Sequence, residues 1–272
     1  MRRSGRVAVD DGVELHYIEE GEGRPIVFIH GVWASARFFD RQIAGLGRRF
    51  RAIAVDLRGH GQSTMTLKDQ TVAVYARDLK AFLERMGIER PVLVGWSMGA
   101  FVIWDHVRQF GPSGVAATVI VDQAPSDLRS PSEPEGLITI EALAAWHRRA
   151  LTDRAALMHS VIPMMFSRPP VESEHRWMFE EMTRQPEVIA AAILVDQTFQ
   201  DYRDIIENFL VPTLVCYGEK SPQPRASMHW IARTALNGEE RLFEDCGHCL
   251  FLEAPEEFNR AVGAFVDRAA AG

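Results

Sequence analysis

Gly95-Trp96-Ser97-Met98-Gly99 reads G-x-S-x-G, and the apolar run Val92-Leu93-Val94 leads into it. A helix-compatible stretch over 98–110 follows at once. A serine on so tight a strand-to-helix turn takes a strained backbone conformation, and bulky neighbours would clash there. Its hydroxyl is pushed out at the end of the sheet, with a helix N-terminus behind it, where developing negative charge is favoured. Ser97 is therefore a candidate nucleophile; the competing reading is a plain structural serine in a glycine turn. Such a hydroxyl needs a base to take its proton, and the base needs an acid to orient it. His248 lies on the loop Asp245-Cys246-Gly247-His248-Cys249, after the last strand-like segment and before a closing helix. All strands of a parallel sheet end on one side, so that loop meets the Ser97 turn, and His248 is the candidate base. A tetrahedral oxyanion also needs donors. The apolar run Ile26-Val27-Phe28-Ile29 ends in His30-Gly31-Val32-Trp33, and the N–H of Val32 is the candidate partner for the N–H of Met98. An ordinary strand-to-helix loop, with Trp33 as packing, is the alternative there.

The elements that must hold these groups follow from the pattern. Segments 6–9 and 13–18 alternate around Asp10-Asp11-Gly12, which predicts an N-terminal hairpin. Continuous apolar runs over 26–29, 52–55, 92–95, 115–121 and 212–218 predict strands covered on both faces, with a last short strand over 240–243. Tyr75, Leu79, Phe82, Leu83 and Met86 step by three and four, which predicts an amphipathic helix ended by Gly87. The strand–helix alternation stops after Pro125. The stretch 126–136 is polar and proline-rich and reads as a linker. From Ile138 to about Phe209 the chain is mostly helical in pattern and rich in Met and aromatics, which suits the roof of an apolar pocket. The expected organisation is a core α/β unit over 1–125, a helical cap over 126–209 and the rest of the core over 210–272.

The 272 residues are 47% hydrophobic and carry a formal net charge of -7, with Lys and Arg scattered. A nucleic-acid surface is not expected from that balance. No apolar run reaches membrane-spanning length, and no apolar signal core follows the basic start, so the reading is a cytoplasmic protein acting on a small molecule. Asp56-Leu57-Arg58-Gly59-His60-Gly61-Gln62-Ser63 lacks Walker spacing and is a structured turn, not a phosphate cradle. Cys246 and Cys249 have C-x-x-C spacing but precede no helix N-terminus, and no second ligand pair stands at zinc-finger spacing. Packing cysteines are the better reading, and neither metal nor cofactor is expected.

His30-Gly31, Asp56-x-Arg58-Gly59-x-Gly61-x-Ser63, Gly95-x-Ser97-x-Gly99 and Gly247-His248 before Glu253-Ala254-Pro255-Glu256 together resemble the α/β-hydrolase superfamily with an inserted cap. The resemblance implies a mostly parallel eight-stranded sheet flanked by helices. In that family the acid commonly lies in a Gly-x-x-Asp pattern after the late strand. Here the pattern reads Gly218-Glu219-Lys220-Ser221, with serine in the acid's place. Some members, among them several haloalkane dehalogenases and the cofactor-free quinolone dioxygenases, carry the acid after the strand that follows the nucleophile helix. That address is Asp122, which is favoured over the alternative acid, Glu219.

Two activities are consistent with these groups. The leading expectation is a serine hydrolase that cleaves a carboxylic ester or lactone through an acyl-enzyme. The other is a cofactor-free dioxygenase on a heteroaromatic, quinolone-like substrate that uses a His–Asp dyad. A non-catalytic receptor on the same fold is a third reading, which the intact Ser and His argue against. Ser in place of a carboxylate nucleophile speaks against dehalogenase or epoxide-hydrolase chemistry. Candidate pocket residues are His30, Trp33, Trp96, Trp146, Met164 and Trp177.

Overall fold

The computed structural model describes residues 1–131, 134 and 136–269. Ser132, Glu133 and Glu135 of the expected linker, and the last three residues of the expected second core segment, lie outside the described residues. The strands are β1 (Arg3–Asp10), β2 (Val13–Glu20), β3 (Pro25–Ile29), β4 (Arg51–Val55), β5 (Val92–Trp96), β6 (Ala117–Val121), β7 (Thr213–Gly218) and β8 (Glu239–Phe243). They form one sheet in the order β1-β2-β4-β3-β5-β6-β7-β8. The pairs β1–β2 and β2–β4 are antiparallel, and every later pair is parallel. The N-terminal hairpin is longer than its alternation implies, since β1 begins at Arg3.

The helices are α1 (Asp40–Leu46), α2 (Val72–Arg85), α3 (Met98–Phe110), α4 (Ile140–Thr152), α5 (Arg154–Met164), α6 (Glu172–Thr183), α7 (Glu187–Thr198), α8 (Arg203–Ile206), α9 (Arg225–Thr234), α10 (Leu250–Glu253) and α11 (Pro255–Ala269). The short helices α1 and α10 have no counterpart in the sequence pattern. The five helices α4–α8 lie between β6 and β7, where the strand–helix alternation breaks off.

Each residue of β5, β6 and β7 is buried. Apolar side chains on alternate faces of a central strand need helices on both sides, and the continuous Val/Leu/Ile runs supply both faces at once. Close packing at β5 depends on its glycine. A Cβ on Gly95 would lie 2.5 Å from the Gly99 carbonyl carbon, and one on Gly99 would lie 2.1 Å from the Ile29 oxygen. The two glycines thus let α3 sit directly on β5 and β3. The Asp56–Ser63 turn is tied to the core: Asp56 accepts from the N–H groups of Ala36 (2.6 Å) and Gln62 (2.9 Å), and Arg58 is paired with Asp78.

The parallel register has one consequence for chemistry. The loops after β3, β5, β6, β7 and β8 all leave from the same edge. Three residues at this edge, Trp33, Ser97 and Asp122, have φ of 64°, 53° and 53°. Non-glycine residues in that region cost about 1–3 kcal/mol each and persist where surrounding contacts hold them.

Candidate active site

Ser97 is the residue between β5 and α3, with φ 53° and ψ -127°. Its own N–H donates to the Val121 carbonyl at the end of β6 (3.1 Å), which leaves the side chain directed off the sheet edge. Met98 opens α3, so its N–H is one of the orphan donors of the first helical turn. Val32 lies on the facing loop after β3 and lines the same cavity as Ser97.

Asp122 directly follows β6 and is fully buried. A buried carboxylate needs donors on both oxygens. Its Oδ1 accepts from the Gly218 N–H at the end of β7 (3.1 Å). Its Oδ2 lies 2.6 Å from Nδ1 of His248 and also accepts from the Ser221 hydroxyl. With Nδ1 engaged by a carboxylate, the imidazole presents Nε2 to the cavity that it shares with Ser97. Among the described residues the Ser97 hydroxyl makes no hydrogen bond to the ring. Serine–histidine contacts of this kind are often long without substrate and tighten when it binds.

The loop that carries His248 is held from three directions. The Trp96 indole N–H donates to the His248 carbonyl (3.1 Å), and its ring centroid is 5.4 Å from the imidazole. The Glu253 carboxylate accepts from the Gly247 N–H (2.6 Å) and from both the N–H and the hydroxyl of Ser167, just past α5. The Cys249 N–H donates to the Met165 carbonyl (2.8 Å). The helical insertion therefore braces the histidine loop directly. Glu219 is not among these groups. Its carboxylate accepts from the Asp245 N–H (3.1 Å) and pairs with Lys220, and both contacts hold its pKa below the ordinary range.

The cavity above Ser97 measures about 200 Å³. Of the expected pocket residues, Trp33, Trp96, Trp146 and Met164 line it, joined by Met165 and Leu194. Two expectations are corrected. His30 is a core residue: its Nδ1–H donates to the Gly31 carbonyl (2.8 Å) and its Nε2 accepts from the Leu57 N–H (3.1 Å). Burial also lowers its pKa, so both ring nitrogens are committed in the neutral form. Trp177 faces a separate recess, edge-on to Phe38 with centroids 4.9 Å apart and under the Arg37 guanidinium. Helical periodicity alone does not say against which neighbour an aromatic face closes.

The sequence pattern also passed over polar residues of the cavity wall: Gln123, Asp127, Gln197 and Gln223. Only the short distance of Asp127 from Asp122 along the chain could have drawn notice to it. The three cysteines are free and buried, and burial raises their thiol pKa values, to about 11 at Cys246. Among the described residues no helix is long and apolar enough to cross a membrane.

Comparison with known proteins bears on this arrangement. Residues 26–261 match the model of the Alpha/beta hydrolase family. The non-heme chloroperoxidase CPO-A1 of Kitasatospora aureofaciens is 28% identical over 269 residues, covering 95% of this chain and 98% of that protein. The bifunctional esterase/perhydrolase DCH of Acinetobacter calcoaceticus is 28% identical over 79% of this chain and 81% of its own length. Among solved structures, a bromoperoxidase from Bacillus anthracis superposes with a TM-score of 0.92 at 23% identity, over 97% of this chain and 100% of that one. With the sheet order, the strained serine turn and the family match in agreement, this chain belongs to the alpha/beta hydrolase family.

Proposed function

We propose that this enzyme is a serine hydrolase that cleaves a carboxylic ester or lactone of a small, largely apolar substrate. The observation that carries the reading is the 2.6 Å contact between His248 Nδ1 and Asp122 Oδ2, on a ring that shares its cavity with Ser97. In this mechanism Asp122 stays ionised and holds the Nδ1–H tautomer, so Nε2 is free to take the Ser97 proton. Ser97 Oγ attacks the carbonyl carbon, and the Val32 and Met98 amides receive the oxyanion. The imidazolium then protonates the departing alkoxide, leaving an acyl-enzyme. Water, deprotonated by His248, attacks that ester; the tetrahedral adduct collapses, the acid departs and Ser97 recovers its proton. The Acinetobacter relative that carries "esterase" in its name supports the same class. Three buried free thiols fit a reducing compartment, and the reading places the protein in the cytoplasm, with the small-molecule substrate as its partner. Ser97→Ala is expected to abolish turnover of a short 4-nitrophenyl ester; undiminished release of 4-nitrophenol would remove the reading.

A second reading is favoured by two observations at the same ring. The acid against His248 is the one after β6, the address that resembles the cofactor-free quinolone dioxygenases, and the Ser97 hydroxyl is not bonded to the ring. In that chemistry His248 deprotonates a hydroxyquinolone-like substrate, and oxygen attacks the resulting anion. Oxygen uptake with such a substrate that survives Ser97→Ala would select it over the hydrolase.

A further inference from the structure

Most of the cavity wall is apolar, but one section is not. Asp127 follows β6 by six residues on the loop that leaves the Asp122 rim, and the loop is held there by hydrogen bonds. The Asp127 carbonyl accepts from the Ile138 N–H (2.8 Å), and the Pro125 carbonyl accepts from the Tyr202 N–H (3.0 Å). The Asp127 carboxylate lines the cavity and is buried. Oδ1 accepts from the Gln123 amide (2.8 Å) and Oδ2 from the Gln197 amide on α7 (3.4 Å). No cation is paired with it among the described residues. Burial pushes its pKa up to about 6, although the Gln123 bond, the nearby His248 and a third side-chain bond, from the Gln223 amide, pull it down. At neutral pH it is mostly a carboxylate, and with about four lone-pair sites for these three amide donors it keeps room for one more.

Gln197 supplies the second observation. Its Nε2 faces the Asp127 carboxylate, and only a donor can face a carboxylate, so the orientation of the amide is set by chemistry. Gln197 is 4% exposed and lines the cavity, and among the described residues its Oε1 has no hydrogen-bond partner. A buried acceptor left unmade costs a substantial fraction of its desolvation. A carboxylate with room for a further donor and an orphan carbonyl oxygen thus stand together in the polar section of a cavity whose remaining wall, apart from Ser97 and His248, is mostly Trp, Met and aliphatic side chains.

We infer that Asp127 and Gln197 form an acceptor pole that receives an N–H or O–H donor of the substrate, away from the carbonyl that Ser97 attacks. The substrate class is then an ester or lactone that carries such a donor on an otherwise apolar body. This deepens the hydrolase reading and rests on it for the ester; the pole itself is a binding feature and is testable without turnover.

The test uses two ligand pairs that differ in one donor. One is an α-acylamino-γ-butyrolactone with a free amide N–H against its N-methyl analogue. The other is a 4-nitrophenyl 3-hydroxyacyl ester against its 3-methoxy counterpart. Binding is read by tryptophan fluorescence in the Ser97→Ala protein, and hydrolysis is read separately in the wild type. In at least one pair the donor member is expected to bind about tenfold or more tightly, the effect of one hydrogen bond to a charged acceptor. Asp127→Asn and Gln197→Met each reduce that ratio, and the double variant brings it close to one. The two single variants preserve side-chain shape, so if one misfolds the other still decides. Equal binding within both pairs, no saturable binding by any of the four, or a preference that persists in the double variant would overturn the inference. A donor preference without hydrolysis in the wild type removes the hydrolase reading and leaves the pole; hydrolysis without preference does the reverse.

Discussion

Ser221 stands where the Gly-x-x-Asp pattern expects a carboxylate, and its hydroxyl donates to Asp122 Oδ2, the oxygen that also contacts His248 Nδ1. The two positions, 99 residues apart in sequence, meet at one oxygen because β6 and β7 are parallel neighbours. The proposed acid and the residue at the family's usual acid address therefore share one oxygen.

This contact predicts a rescue. Asp122→Asn is expected to lower kcat toward an ester by about 10³–10⁴-fold, the scale seen when a triad histidine loses its correct tautomer. Adding Ser221→Asp returns a carboxylate to within reach of the same ring and is expected to recover at least about tenfold of that loss. Glu219→Gln, which alters an exposed group directed at Asp245 and Lys220, leaves kcat within about twofold. Steady-state kinetics on the four proteins decides; a double variant no better than Asp122→Asn would refute the shared-oxygen account.

Gly31 offers a steric test of Ser97 as the proposed nucleophile. A Cβ added there would lie 2.9 Å from the Ser97 Cβ and 3.4 Å from its Oγ. Gly31→Ala is expected to lower kcat/KM about 10²-fold, because displacement of a reacting atom by about 1 Å is that costly. Far-UV circular dichroism should be unchanged. Wild-type kinetics in this variant would mean that Ser97 does not need its observed position.

The Asp127 carboxyl gives a pH-dependent stability. Its pKa is raised by burial from 3.8 to about 6, so the folded state disfavours the charged form. The penalty is fully present above pH 6 and is relieved as pH falls from 6 toward 4. Asp127→Asn removes it and is expected to be more stable than the wild type at pH 8 by about 1–3 kcal/mol, with the gap closing near pH 4. Thermal unfolding at both pH values checks the sign; a gap that widens on acidification would contradict it.

The cysteines should be silent in the native protein. Cys216, Cys246 and Cys249 are buried, and a raised thiol pKa leaves little thiolate at pH 8. A chromogenic disulfide reagent is expected to titrate three thiols only after unfolding. Rapid native labelling of Cys246 or Cys249 would reopen a redox reading of the C-x-x-C spacing.

What the residues alone determined was local or periodic. The strand–serine–helix turn was legible because glycine spacing and strain act within a few bonds. The parallel sheet was legible because strands buried on both faces read as nearly continuous apolar runs. The sidedness of that sheet in turn brought the loops of Ser97 and His248 to one edge. The short helices α1 and α10 escaped notice because neither is long enough to show a period. Contacts between distant segments were decided only by the tertiary structure. Asp122 and Glu219 are both carboxylates at strand ends, and only the packing of β7 beside β6 and of β8 beside β7 puts the first against His248 and turns the second toward Asp245. His30 and Trp177 have the residue types of a pocket wall, yet which way a side chain faces depends on the neighbour it packs against. Ser221, Asp127 and Gln197 have no motif at all, because a hydrogen bond between remote positions is set by where the backbone comes to rest and leaves no spacing in the chain.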